Sequence, residues 1–269
     1  MTTEKLYAVN GVELCAETFG DPADPAILLI HGATASMLWW DAELCRLLAD
    51  RGRYVIRYDQ RDTGRSTSYP VGRPGYSQRD LAADAIGLLD ALGVDRAHVV
   101  GQSWSGGIAL VLGVDYPSRV ATVTFVSTTT GADGLPPPTL AHSDDSELSL
   151  EDRVVRAIAA EELGYFEEPF ARDLVRRDMA RARDYQASMT NHYLASADGP
   201  VGGGFGELSM PVLVVHGELD PVLPLPHGEA IRDAVPGARF VVLPAAGHGV
   251  PRRLWSELVD AVIEHTGRR

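Results

Sequence analysis

Two serines stand close together at a point where an apolar segment of the chain ends. The stretch VVGQSWSGG covers residues 99–107 and holds Ser103 and Ser105 on either side of Trp104. A serine hydroxyl is a weak nucleophile at neutral pH, so it needs a base to take its proton and donors to hold an oxyanion. A sharp turn between a buried strand and a helix lifts such a side chain into a cleft beside free backbone N–H groups. The stretch predicts either a nucleophile or an ordinary turn of small residues.

The end of the predicted strand decides between the two serines. Small residues two positions before and two after the nucleophile are typical of this turn, and that spacing fits both serines loosely. The run VVG places Gly101 at the strand end, so Ser103 falls at the tip of the turn. Ser105 then lies in the first helical turn and points back toward the sheet. We predict that Ser103 is the nucleophile and that Ser105 stands where a glycine is usual.

An acid and a histidine follow in the order that a serine triad takes on a parallel sheet. Asp220 lies in ELDPVLP, just after the apolar run PVLVVHG, and His248 lies in AAGHGVP, just after RFVVLP. Such loops follow the carboxyl ends of strands, where open α/β sheets build their sites. We predict that Ser103 attacks a carbonyl carbon, that His248 is the general base and then the general acid, and that Asp220 fixes the imidazole tautomer. Asp133 is the alternative acid.

Other residues are candidates for the oxyanion hole and for the substrate pocket. The predicted oxyanion donors are the backbone N–H groups of Ala33, in the small-residue loop HGATAS, and of Trp104. The candidate pocket residues are His31, Trp104, His192 and Tyr193. Two further tryptophans, Trp39 and Trp40, could line an apolar pocket, but packing in the core is favoured for both.

Two groups of charged residues are predicted to be structural. Arg61, Asp62 and Arg65 cluster in the loop DQRDTGRS, where we expect them to tie loops together rather than to act in catalysis. Five arginines on predicted helices are most simply a solvated face: Arg172, Arg176, Arg177, Arg181 and Arg183.

The elements that must position these residues alternate between strands and helices. After a hairpin signalled by Asn10-Gly11, apolar runs typical of buried strands begin at residues 26, 54, 97, 120, 211 and 239. Segments with helical spacing separate them, for example the helix predicted from Ser77 as N-cap to Gly93 as C-cap. The alternation predicts a mostly parallel sheet with helices on both faces.

One long segment breaks this alternation. Residues 131–207 open with three prolines and the acidic loop HSDDSELS, continue with helical stretches at 151–166 and 168–193, and end in GPVGGGFG. The pattern predicts a helical cap inserted between two strands. The core is then formed by residues 1–130 and 208–269.

Composition excludes several classes of partner. The net charge is −13, whereas a nucleic-acid-binding surface needs clustered positive charge, and the same balance argues against an anionic membrane surface. No apolar run is long enough to cross a bilayer, and the N-terminal segment carries no basic-then-apolar signal region. The two isolated cysteines, Cys15 and Cys45, predict reduced thiols. We therefore expect a cytoplasmic protein. The sequence shows neither metal-ligand spacing nor a dinucleotide-binding glycine motif, so we expect no metal and no organic cofactor.

Four stretches together resemble the α/β-hydrolase superfamily: GQSWSGG, LIHGATAS, HGELDPVLP and AAGHG. The resemblance runs along nearly the whole chain and is weakest in the cap. A narrower likeness is to anthracycline methyl esterases of the aclacinomycin type, through FGDPADPAILLI, VIRYDQRDTGRST, GVDRAHVVG and LDPVLPLPHG. That likeness implies hydrolysis of a carbomethoxy ester on a polyaromatic molecule. Ser105, in place of the usual glycine, departs from the superfamily pattern.

The residues and the resemblance together predict a serine hydrolase that cleaves a carboxylic ester of a small apolar molecule. The same triad would also serve hydrolysis of a lactone or of a carbon–carbon bond, and cofactor-free perhydrolase or haloperoxidase chemistry. Dehalogenase and epoxide hydrolase chemistry is disfavoured, because it uses an aspartate at the position of Ser103. A ligand-binding protein of the same fold without turnover is the remaining alternative.

Overall fold

The structure, a computed structural model, describes residues 4–140 and 147–267. Most of the acidic loop HSDDSELS, at 142–149, lies outside the described residues. The chain begins with a hairpin of β1 (Lys5–Val9) and β2 (Val12–Phe19). Its turn residues Asn10 and Gly11 both have positive φ, 47° and 79°, as a tight two-residue hairpin turn requires.

A single eight-stranded sheet carries the fold, in the order β1-β2-β4-β3-β5-β6-β7-β8. β1, β2 and β4 pair antiparallel, and all neighbours from β4 to β8 pair parallel. This arrangement confirms the predicted mostly parallel sheet. The remaining strands are β3 (Ala26–Ile30), β4 (Tyr54–Tyr58), β5 (Ala97–Gln102), β6 (Val120–Val126), β7 (Val212–Gly217) and β8 (Arg239–Leu243).

Helices cover both faces of this sheet. One apolar cluster packs α2 (Gln78–Ala91), α3 (Gly106–Asp115) and α7 (Pro226–Ala234) on one face, and a second packs α1 (Ala42–Ala49) and α8 (Trp255–Thr266) on the other. Successive residues of β3 belong alternately to the two clusters. A central strand is therefore buried on both faces, which is why it reads as one continuous apolar run.

Three helices lie between β6 and β7: α4 (Leu150–Glu162), α5 (Glu168–Arg181) and α6 (Tyr185–Leu194). The second helical stretch predicted there is in fact two helices. Asp184 caps α6, since its side chain accepts from the Ala187 N–H, and the Arg183 N–H leaves the helical pattern to bond the Gly64 carbonyl. The division into a core and a 131–207 cap stays a prediction. No helix in the described ranges is long and apolar enough to span a membrane.

The side chain of Arg181 is largely buried, so its assignment to a solvated face is wrong. Its side chain is 10% exposed and lies between Asp59, after β4, and Glu4, before β1. Its Nη1 donates to Asp59 Oδ1 and its Nε to Glu4 Oε1, each at 2.9 Å. Arg181 is the last residue of α5, and its guanidinium lies beside Glu4 and Asp59, next to two strands of the sheet. Helical spacing in the sequence does not reveal this position. The other four arginines of this group are all more exposed, at 27 to 64%, and Arg183 among them lies between α5 and α6.

We expect Arg181→Met to lower the free energy of unfolding by about 3–5 kcal/mol, because it leaves the buried Asp59 carboxylate without its cation. The matched control is Arg177→Met, one turn earlier on α5, where an exposed i,i+4 pair with Asp173 is worth about 0.5 kcal/mol or less. Urea unfolding of both variants measures the difference. Equal losses would contradict this account of the ion pair.

Candidate active site

Ser103 stands on a sharp turn between β5 and α3. Its φ is +51°, in the left-handed region, and residues 103–105 form a short 3-10 turn before the helix. Gly101 has no room for a side chain, because a Cβ there would lie 2.7 Å from the Ser105 carbonyl oxygen. A Cβ on Gly106 would collide with Thr128. These close approaches explain the small residues around the serine and leave its side chain partly exposed at the strand end.

Three side chains from three loops meet at the carboxyl edge of the sheet. His248 Nε2 lies 2.8 Å from Ser103 Oγ, and His248 Nδ1 lies 2.8 Å from Asp220 Oδ2. The other carboxylate oxygen of Asp220 accepts the backbone N–H groups of Val222 and Leu223, both at 2.9 Å. With Nδ1 donating to the carboxylate, Nε2 is left to accept the serine proton.

The alternative acid, Asp133, is exposed and lies outside this hydrogen-bonded chain. The structure thus brings together the serine, the acid and the histidine that the sequence placed first. Their catalytic roles stay a prediction.

The negative charges around His248 raise the pKa of its imidazole. Burial alone would lower its pKa, but the hydrogen bond and charge of Asp220, and the charge of Glu161, outweigh it, so the pKa lies above its ordinary value. His31, beside it, has a pKa lowered to about 3 by burial and by the charge of His248, so it is neutral.

We expect kcat/KM to fall at acid pH with a midpoint above about 6.5. Below the midpoint His248 is protonated and cannot accept the serine proton; above it the neutral imidazole can. Glu161→Gln should move the midpoint down, because one of the charges that raise the pKa is removed. Glu257→Gln, exposed on α8, should leave it unchanged. A pH–rate profile of the three proteins measures this, and a wild-type midpoint below 6.5 would contradict it.

The loop after β3 runs beside the nucleophile. A Cβ on Gly32 would lie 3.1 Å from Ser103 Cβ, so this loop approaches the turn as closely as a glycine allows. Thr34 has a φ of +68°, and its N–H donates to His192 Nδ1 at 3.1 Å. Ala33, next to it, borders the same cavity as Trp104. That the N–H groups of Ala33 and Trp104 hold an oxyanion stays a prediction.

A cavity of about 470 Å³ opens in front of Ser103 and His248. Eight aromatic side chains line it, from the loops of the sheet, from the segment that holds α4–α6 and from the start of α8: Trp39, Trp40, Trp104, Tyr165, Phe170, Tyr185, Tyr193 and Trp255. Trp39 and Trp40 therefore line the cavity and also pack: Trp40 is 3% exposed within the second apolar cluster, and Trp39 packs against buried residues of α4 and α5. Four of these aromatic residues were not suggested by the sequence, because the aromatic wall forms only when distant segments meet: Tyr165, Phe170, Tyr185 and Trp255.

The four candidate pocket residues take different positions. His31, Trp104 and Tyr193 line the cavity, although Tyr193 is also 68% exposed. His192 is fully buried and is not among the residues that line it. Its ring stacks on Trp104 with the ring centroids 5.0 Å apart, and its Nε2 donates to the Arg61 carbonyl. This buried side chain is therefore not placed to contact a substrate in the cavity.

The polar cluster after β4 does tie loops together, as its residue types predict. Arg61 pairs with the buried Asp84 through two hydrogen bonds of 2.6 and 2.8 Å. Asp62 accepts from the Tyr76 hydroxyl at 2.6 Å and from Asn191 Nδ2, on α6, at 3.0 Å. These bonds join the sheet loops to the last helix of the inserted segment.

The end of α4 reaches the histidine loop, a contact that the sequence did not suggest. The His248 N–H donates to the Glu161 carbonyl at 2.9 Å, and Gly247 lies so close to that carbonyl that a Cβ would collide with it. The Glu161 and Glu162 side chains line the cavity. Burial raises the pKa of both carboxyl groups, and the charge of neighbouring carboxylates adds to it, so that the pKa of Glu162 reaches about 7. Within the described ranges no group of three or more potential ligands is placed to hold a metal ion.

Comparison with known proteins agrees with this fold. A family model described as alpha/beta hydrolase fold matches residues 25–184, and one described as TAP-like protein matches residues 188–265. The chain is 33% identical to rhodomycin D methylesterase DauP of Streptomyces sp. strain C5 and 32% identical to rhodomycin D methylesterase DnrP of Streptomyces peucetius, over 97% of each chain in both cases. Among solved structures, 2-hydroxy-6-oxo-6-phenylhexa-2,4-dienoate hydrolase of Rhodococcus sp. strain RHA1 is 25% identical over 97% of each chain, with a TM-score of 0.80. Because the fold model covers more than half of the chain and these relatives align along nearly all of it, this chain belongs to the α/β-hydrolase family of enzymes.

Proposed function

We propose that this enzyme hydrolyses a carboxylic ester through an acyl-enzyme on Ser103. The observation that carries the proposal is the unbroken chain of two 2.8 Å hydrogen bonds from Asp220 through His248 to Ser103, at the floor of an aromatic cavity. A serine linked in this way to a base and an orienting acid is the arrangement of acyl transfer.

The first half of the reaction forms the acyl-enzyme. Ser103 Oγ attacks the ester carbonyl carbon as its proton passes to His248 Nε2, and the N–H groups of Ala33 and Trp104 hold the oxyanion that forms. Collapse of the tetrahedral intermediate breaks the bond to the alkoxy oxygen, which leaves as the alcohol with the proton from His248. Water then attacks the acyl carbon, gives a proton to His248, and releases the acid as Ser103 regains its proton.

The substrate that we propose is a methyl ester of a flat aromatic molecule, such as an aromatic polyketide. Support comes from the aromatic lining of the cavity and from two relatives that are named rhodomycin D methylesterases. Flat rings stack well on tryptophan and tyrosine faces. The two free, buried cysteines are consistent with a reducing compartment, so we place the reaction in the cytoplasm.

A second candidate function is hydrolysis of a carbon–carbon bond by the same three residues. The likeness to the phenylhexadienoate hydrolase favours it over the other chemistries that a serine triad supports. An enolisable diketone would then replace the ester.

A substrate panel tests the proposal. The purified enzyme is assayed on a methyl ester of a polycyclic aromatic acid, a matched ethyl ester, a lactone, an aryl dienoate diketone, and a halogenation acceptor with and without peroxide. We expect the highest kcat/KM for the aromatic methyl ester. Highest turnover of the diketone would favour carbon–carbon cleavage, and peroxide-dependent halogenation alone would favour the haloperoxidase alternative. Tight binding of the ester without turnover would support a binding protein and overturn the proposal.

A further inference from the structure

Ser105 is wholly buried and bonded to the loop that faces the nucleophile. Its relative exposure is 0%, and its hydroxyl donates to the carbonyl oxygen of His31, at the end of β3. Gln60, from the loop after β4, donates through Nε2 to the same His31 oxygen at 2.8 Å and to Ser105 Oγ at 3.2 Å. Three segments that are distant in sequence therefore close into one triangle of hydrogen bonds.

Two hydrogen bonds of this triangle end on the same carbonyl. The His31 oxygen accepts the single Ser105 proton and a Gln60 N–H, so both of its lone pairs are used. The His31 oxygen and Ser105 Oγ lie too close together for the two diverging protons of the Gln60 amide to reach one each, so one N–H is shared between them. A glycine at position 105 would leave that N–H on His31 and would remove the direct bond between the turn and the loop after β3. The serine is therefore the residue that joins these two segments, which a glycine cannot do.

The triangle joins the two segments that carry the proposed oxyanion donors. Ser105 directly follows Trp104, and His31 precedes Ala33 by two residues. A bond from Ser105 to His31 therefore ties the segment that carries one N–H to the segment that carries the other. The distance between two donors decides how well they hold one oxygen atom, because such donors act only when they are aimed in advance at the developing charge.

We propose that Ser105, held by Gln60, is a positioning residue that sets the separation of the Ala33 and Trp104 N–H groups. The proposal rests on the proposed function, since an oxyanion forms only in acyl transfer or a related attack on a carbonyl. Ser105 would stabilise the transition state more than the bound ester, because the carbonyl oxygen of the bound ester carries little charge.

Two variants of Ser105 test it on an aromatic methyl ester. Ser105→Gly and Ser105→Ala should each lower kcat about tenfold, a fraction of the roughly 10²–10³ lost with a whole donor, and leave KM within about a factor of two. Affinity for an aryl trifluoromethyl ketone, which forms an oxyanion on the serine, should fall by the same factor as kcat. The acid midpoint of the pH–rate profile should stay in place, because Ser105 does not contact His248. The alanine variant keeps the helix start, so a loss seen in both variants is not a backbone effect of glycine.

A double-mutant cycle with Gln60→Met completes the test. If both residues act through the triangle, Ser105→Ala adds little to the loss that Gln60→Met causes. Thr122→Val is the control. It also removes a buried hydroxyl, one that bonds His98 at 3.0 Å, but Thr122 lies near the start of β6, away from the carboxyl ends of the strands. This variant should leave kcat unchanged. Full kcat in both Ser105 variants, a rise in KM alone, or ketone affinity equal to wild type would overturn the inference. Absence of ester turnover in the wild type would instead overturn the proposed function.

Discussion

Replacing Ser103 with alanine will lower kcat by roughly 10⁴–10⁶-fold, with binding of the aromatic ester kept within about a factor of two. The reason is that Oγ, which donates a 2.8 Å hydrogen bond to His248 Nε2, is the atom that the histidine activates as the nucleophile. Stopped assays at high enzyme concentration measure the residual rate. Quenching of tryptophan fluorescence measures binding, because Trp39 and Trp104 line the cavity.

The neighbouring serine provides the matched comparison for this variant. Ser105→Ala removes a hydroxyl two residues away, and we expect only about a tenfold loss there. A fluorophosphonate should label the wild type within the tryptic peptide 97–119, and fragment mass spectrometry should place the adduct on Ser103. An adduct on Ser105, or equal losses in the two variants, would contradict the assignment of the nucleophile.

Replacing Asp220 with asparagine will lower kcat by roughly 10⁴-fold without disturbing the local structure. One carboxylate oxygen accepts two backbone N–H groups, so the amide oxygen of the asparagine must stay on that side. The amide NH₂ then faces His248 Nδ1 and donates to it, which moves the imidazole proton to Nε2. A protonated Nε2 cannot accept the serine proton, so raising the pH does not restore activity.

Asp133→Asn is the control for this variant. Asp133 follows β6, it is exposed, and it was the other candidate for the acid. The control should keep wild-type kcat. A pH–rate profile in which the Asp220→Asn variant recovers at alkaline pH would contradict the tautomer explanation, and a loss in the control would mean that the acid had been wrongly assigned.

Local patterns were sufficient to predict the sheet and the candidate triad. Ser103 and Asp220 follow β5 and β7, whose buried residues read as apolar runs, and His248 follows the half-exposed edge strand β8, which is also an apolar run. Parallel strands bring their carboxyl ends to one edge, so position along the chain predicts position in space. Helices α4–α6 were less predictable, since α5 and α6 are divided by the capping bond of Asp184 and by the bond of the Arg183 N–H to the distant Gly64 carbonyl.

What the sequence did not predict depends on contacts between distant segments. The sequence does not distinguish Arg181 from the other arginines of α5, because its ion pair with Asp59 forms only in the folded protein. Trp39 both packs and lines the cavity, because its indole N–H is held by Asp178 on α5 at 2.8 Å. His192 supports the loops around Trp104 rather than facing the cavity, since both of its ring nitrogens bond to backbone groups. Periodicity along one segment carries no information about such partners.

The bond between the Glu161 carbonyl and the His248 N–H has a consequence for engineering substrate range. Helices such as α4 are natural targets for exchange between family members, because they form one wall of the cavity. In this protein the last turn of α4 also supports the backbone of the proposed general base, and Gly247 leaves no clearance for a shifted helix. A chimera joined beyond Glu161 would alter the position of His248 together with the cavity wall that α4 forms. Grafts that end before residue 161 would alter which molecules fit and keep the original alignment of the histidine.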